Sequence, residues 1–192
     1  MDTNEQNAPE LKLFMVLLGC KPPGRHIEQH DIFFGVARSL RDLVPEIKAY
    51  WQEPERIHLD AWREVTNVDA FNVKVVPHNS RINENKNKLF FINLGGYQEN
   101  RFEEQHYILL AVRQDKAEAF REAKETLFYQ HNRFSGAGSH IDDKYGIDVD
   151  DLYEIEELLS QEQKAKYKIE ITPSDNLQED QIHLGYFKLD SL

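Results

Sequence analysis

The chain has 192 residues, 40% of them hydrophobic and 30% charged, with a formal charge of −11 spread along its length. That composition supplies a core and excludes a disordered chain. The acidic balance argues against nucleic acid and anionic membranes as partners, because both are held mainly by clustered Lys and Arg.

Cys20 is the only cysteine, so no intrachain disulfide forms, which suits a reducing compartment. Met1 to Glu10 is polar and acidic and lacks the basic-then-apolar order of a signal peptide. The apolar run Leu13 to Leu18 is far too short to span a bilayer. The expected location is cytoplasmic; a small molecule, a protein or a second copy of the chain remains open as a partner.

Taken in order, residues 1–10 read as a disordered tail. Leu11 to Leu18 is a nearly continuous apolar run ended by Gly19, the pattern of a strand covered on both faces. A connector follows with Pro22-Pro23-Gly24, and Asp31 to Ala37 reads as a second strand. Ser39 stands in a cap-like position before LRDLVPEIKAYW, where Pro45 must bend or restart the helix. From Arg56 to Val65 the chain alternates, placing Ile57, Leu59 and Ala61 on one side and His58, Asp60 and Trp62 on the other. Phe71, Val73 and Val75 mark another strand, and Pro77 to Asn87 is a polar linker.

Leu89 to Leu94, ended by Gly95-Gly96, and Tyr107 to Arg113 read as the next two strands. Asp115 is a good N-cap for KAEAFREAKETLF, with Ala117, Phe120, Ala123 and Leu127 expected on one face. Ser135 to Ser139 is a flexible insertion, and Tyr167 to Ile171 and Ile182 to Leu189 look like added strands.

Self-similarity organises these elements. A shift of 76 positions sets Lys12-Leu13-Phe14 on Lys88-Leu89-Phe90, Leu18-Gly19 on Leu94-Gly95 and Arg25 on Arg101. It also sets Glu28-Gln29-His30 on Glu104-Gln105-His106, Ile32 on Ile108 and Val36 on Val112. A shift of 82 sets His58-Leu59-Asp60 on His140-Ile141-Asp142, and Asp69, Phe71 and Val73 on Asp151, Tyr153 and Ile155. The expected fold is α+β, with two tandem ββαβ(β) repeats at 11–76 and 88–160 packed as an intramolecular pseudo-dimer. Residues 77–87 link them, and 161–192 add strands that pack on the repeats.

The repeated Arg-x-x-Glu-Gln-His is the main chemical signal. Glu28 and His30 are two apart and share one face of an extended chain, as do His58 and Asp60. If their strands are neighbours, two imidazoles and two carboxylates converge, a set that holds a divalent metal or supports acid/base work. Arg25, Glu28, His30, His58 and Asp60 are therefore the candidates, with Arg101, Glu104, His106, His140 and Asp142 in the second copy. The competing account is structural: a Glu and His entering a strand bond loop backbone, and the recurrent Arg pairs with the Glu to pin the connector.

Other chemistry has little support. Lys21 and Arg25 with Gly19 and Gly24 suggest an anion loop, but no phosphate-loop or dinucleotide pattern occurs. Asp142 to Asp151 fails as a calcium loop because Lys144 and Gly146 stand where oxygen ligands are needed. Cys20 is replaced by Gly96 in the second copy, and no nucleophile elbow exists.

The segments KLFMVLLGC, GRHIEQHDIFFGVA and IHLDAWREV, with FFINLGGY and FEEQHYILLAV later, resemble a bacterial domain-of-unknown-function family numbered 1543, which occurs in one or two copies per chain. The resemblance spans about Leu11 to Ile155 and rests on the Glu-x-His and His-hydrophobic-Asp elements. It implies a bacterial host and two copies folding together, and it carries no activity or cofactor. From sequence, then, the chain reads as a non-enzymatic ligand- or protein-binding pseudo-dimer, with a metal-assisted or acid/base enzyme as the alternative.

Overall fold

A computed structural model describes residues 10–51, 56–82, 86–97, 102–125, 147–175 and 178–192. The chain is α+β and divides into two compact units, one of residues up to Ile82 with Leu158–Leu192, the other Asn83–Glu157. Among the described residues no helix is long and apolar enough to cross a membrane.

In the first unit the principal sheet has the order β10-β3-β1-β2, from β1 (Lys12–Cys20), β2 (Gln29–Ala37), β3 (His58–Glu64) and β10 (His183–Lys188). Every neighbouring pair is antiparallel. β1 is central. Its even positions, Phe14, Val16, Leu18 and Cys20, are fully buried with Phe33, Leu43, Ile47, Ile57 and Leu59. Each such side chain contributes about 1.5–3 kcal/mol on burial. Met15 and Leu17, on the other face, are only half-buried. The continuous apolar run thus overstated the cover: one face is core, the other is partly open.

The segment after β2 restarts as the proline requires. Leu40–Leu43 forms a 3-10 turn whose Asp42 carboxylate accepts from Ser39 N and Oγ at 3.0 and 2.8 Å. Helix α1 (Val44–Tyr50) then begins with Pro45 in its first turn, where no amide is needed.

A second, three-stranded sheet has β4 (Asn67–Val68), β5 (Phe71–Pro77) and β9 (Tyr167–Pro173) in that order. Both C-terminal strands therefore pair with strands of the first unit, β10 with β3 and β9 with β5. Helix α4 (Gln161–Lys166) supplies Gln163, which lies against the outer edge of β2. Its Oε1 accepts from Val36 N at 3.0 Å, and its Nε2 donates to Val36 O at 3.1 Å and to Glu46 Oε1 at 2.8 Å. One buried amide thus replaces a missing strand. We expect Gln163→Leu to lower unfolding free energy by about 2 kcal/mol, since it orphans both polar groups of Val36; chemical denaturation measures it.

The second unit has the sheet order β7-β6-β8, from β6 (Lys88–Tyr97), β7 (Glu104–Arg113) and β8 (Ile147–Glu154), followed by α3 (Ile155–Leu158). Asp115 caps α2 (Lys116–Ala123) by accepting from Glu118 N at 2.8 Å. The face of α2 agrees with the expected one at Ala123, which is buried, but Ala119 is buried with it while Ala117 and Phe120 are exposed, and Leu127 lies outside the described residues. Small side chains here let the helix approach the sheet closely, and Phe120 instead lies under Lys124 Nζ.

The β7-β6-β8 frame follows β2-β1-β3 strand for strand. His106 stands opposite Gly95 as His30 stands opposite Gly19, and each inner strand carries a register shift against its third partner. That registration corrects the 82-residue shift. The residue opposite Gly95 on the third strand is Asp148, not His140, and the extra residue in the shift is Asp150 where the first unit has Asp60. Tyr153 stands opposite Phe91 as Arg63 stands opposite Met15, so it has no correspondence with Phe71 of β5. The His-x-Asp string does not mark this place, because the residue opposite Gly95 is an aspartate.

Candidate functional site

The site begins with a residue that has no side chain. Gly19 on β1 pairs with His30 on one side and His58 on the other. β2 and β3 are thus not neighbours; they flank β1, roughly 10 Å apart. Side chains on such strands normally stay separate, but over a glycine His30 and His58 both contact the carboxylates of Glu28 and Asp60. A Cβ on Gly19 would lie 2.5 Å from His58 Nε2 and 2.5 Å from Asp60 Oδ2. Gly19 is therefore the floor of the cluster, neither a strand terminator nor part of an anion loop.

Asp60 reaches the cluster through a bulge. Leu18 pairs with Leu59 and Leu17 with Ala61, which leaves Asp60 as the additional residue. The same bulge moves Trp62 to the core face, opposite Val16 and 6.2 Å from the Phe14 ring. Simple alternation had put Trp62 beside His58; one inserted residue inverts the phase beyond it.

Glu28, His30 and Asp60 then converge, and His58 contacts the two carboxylates. His30 Nε2 is 3.0 Å from Asp60 Oδ2 and 3.8 Å from Glu28 Oε2. His58 Nε2 is 3.3 Å from both Asp60 Oδ1 and Glu28 Oε1. Donor atoms of Glu28, His30 and Asp60 all lie within 4.8 Å of one another. His58 is only 3% exposed, yet its Nε2 and the buried Asp60 Oδ2 have no hydrogen-bond partner. The contacts have ion-pair distances without hydrogen-bond alignment.

The supporting groups fit the same geometry. His58 Nδ1 lies 3.4 Å from the Arg56 carbonyl, a contact that would hold the ring's orientation with a proton on Nδ1. Tyr186 of β10 stacks on the His58 ring, with centroids 4.1 Å apart and 29° between planes. Tyr186 had no signal in the sequence, because it comes from a strand more than a hundred residues away in the chain. Glu28 has its ionic contacts with the two imidazoles and not with Arg25, so the expected Arg–Glu pinning of the connector is not what these residues form. Arg25 is exposed, and its backbone closes the Pro22–Arg25 turn.

In the second unit His106 Nε2 is 3.8 Å from Glu104 Oε2, the same separation as in the first. Arg101, His140 and Asp142 lie outside the described residues, as do Ser135–Ser139.

Residues 25–75 match the family model described as Domain of Unknown Function (DUF1543). The match takes in Glu28, His30, His58 and Asp60, and it bears out the resemblance for that stretch. It does not extend to Gly19 or Tyr186. The fold is similar to the crystal structure of the protein Il1583 from Idiomarina loihiensis, with a TM-score of 0.62 at 20% identity, over 94% of this chain and 98% of that one. No curated protein matches.

Proposed function

We propose that this chain is a divalent-metal-binding protein whose centre is Glu28, His30, His58 and Asp60. One observation carries the reading: the buried His58 Nε2 and Asp60 Oδ2 have ionic contacts but no hydrogen bond, and both lie close over a glycine that has no side chain to fill the space. Leaving such groups unmet costs about 1–3 kcal/mol each, a cost that a bound cation offsets. Two nitrogen and two oxygen donors suit zinc or a neighbouring first-row divalent ion rather than calcium or magnesium, which prefer all-oxygen shells.

The structural account of the same residues is weaker here. It needs Glu28 and His30 bonded to loop backbone or to Arg25, whereas their contacts are with His58 and Asp60. The recurrence of the strand frame supports reading the chain as a duplicated unit. In the second frame Asp148 stands at the place of His58, so among the described residues the two-imidazole set is that of the first unit.

The test is metal-free protein titrated with zinc and manganese, followed by native mass spectrometry and denaturation. One ion per chain is expected, with unfolding free energy raised by about 2.7 kcal/mol at a free metal concentration a hundred times the Kd. No uptake and an unchanged denaturation curve would contradict the proposal.

A further inference from the structure

Resting on that reading, we propose that Glu28 is the exchangeable member of the centre, and that a small oxygen-donor anion takes its place on the metal. The four donors are not held alike. His30, His58 and Asp60 are borne by strands that flank or pair with β1. His58 is buried, stacked by Tyr186 and oriented through Nδ1, and Asp60 is fixed by the bulge. These three form a two-histidine, one-carboxylate set, the donor combination that characteristically leaves coordination positions open for water or substrate.

Glu28 differs in each respect. It lies in the connector, one residue before β2 begins. Its side chain is 40% exposed against 4% for His58, and its oxygens stand 3.3 and 3.8 Å from the two imidazole nitrogens. The Gly19 backbone closes the rear of the centre, so the approach from solvent is on the side of Glu28 and the half-exposed His30. A carboxylate at the mouth of a metal site can swing off the ion as an oxygen ligand arrives. It then remains within reach to hydrogen-bond that ligand or accept a proton from a bound water. The ligand class is a small anion that chelates through oxygen, such as a carboxylate or hydroxamate; one oxygen takes the place vacated by Glu28.

The experiment uses the full chain loaded with cobalt(II), whose visible bands report the number and type of ligands, with acetohydroxamate as probe. Wild type should bind cobalt and change its visible spectrum as acetohydroxamate is added. Glu28→Ala should keep cobalt affinity within about a hundredfold of wild type, the range of an outer-shell partner, while His58→Ala loses more. Glu28→Ala should also bind acetohydroxamate more tightly. A spectrum indifferent to acetohydroxamate, or a Glu28→Ala loss as large as that of His58→Ala, overturns the exchangeable role and leaves the metal centre standing. Wild type that takes up no cobalt overturns the centre itself.

Discussion

Gly19→Ala is expected to abolish metal binding, lowering affinity more than about a hundredfold, while leaving the metal-free fold nearly as stable as before. The added methyl group would lie 2.5 Å from both His58 Nε2 and Asp60 Oδ2. Metal–ligand bonds to nitrogen and oxygen are about 2.0–2.2 Å, so the methyl and the ion compete for the same space. Two opposing effects act on the fold. The side-chain ends must shift, which costs energy, but Ala is preferred to Gly within a strand by about 0.5–1 kcal/mol. Gly19 has no left-handed backbone to protect. Isothermal titration with zinc and a denaturation curve of the metal-free protein separate the two effects. A variant that unfolds early without metal would assign Gly19 to packing and not to the site.

His58→Ala should likewise remove metal affinity by more than about a hundredfold, and with it the metal-dependent gain in unfolding free energy. The stability of the metal-free variant discriminates further. If His58 pins the structure, its loss costs about 1–3 kcal/mol, the penalty for orphaning a buried partner. In this protein Nε2 makes no hydrogen bond, only 3.3 Å ionic contacts with Glu28 and Asp60, so its removal relieves a buried polar atom while forfeiting those contacts and the stack on Tyr186. The expected net change without metal is within about 1 kcal/mol. Measuring unfolding with and without zinc gives both quantities from one preparation.

The sequence was informative where the signal was local. Two-residue spacing put Glu28 with His30 and His58 with Asp60 on shared faces, and the turn at Pro45 and the cap at Asp115 follow from single-residue chemistry. What it could not carry was the relation between strands. Convergence was tied to β2 and β3 being neighbours, yet they meet across β1 because Gly19 is bare. The bulge at Asp60 inverted the face of Trp62, and strict alternation has no way to represent one extra residue. The face of α2 was legible only in part: Ala123 is buried as expected, but Ala119 is buried with it, and Ala117 and Phe120 are exposed. The His-Ile-Asp string points to His140 in the second unit, which lies outside the described residues, while hydrogen-bond register sets Asp148 opposite Gly95.

The most direct test of the metal centre is anomalous diffraction at the zinc absorption edge from crystals grown with zinc. The account predicts one strong peak in the first unit, about 2.0–2.2 Å from His30 Nε2, His58 Nε2 and an Asp60 carboxylate oxygen, above the α-carbon of Gly19. Density without such a peak, with His58 Nε2 hydrogen-bonded directly to a carboxylate, would contradict it.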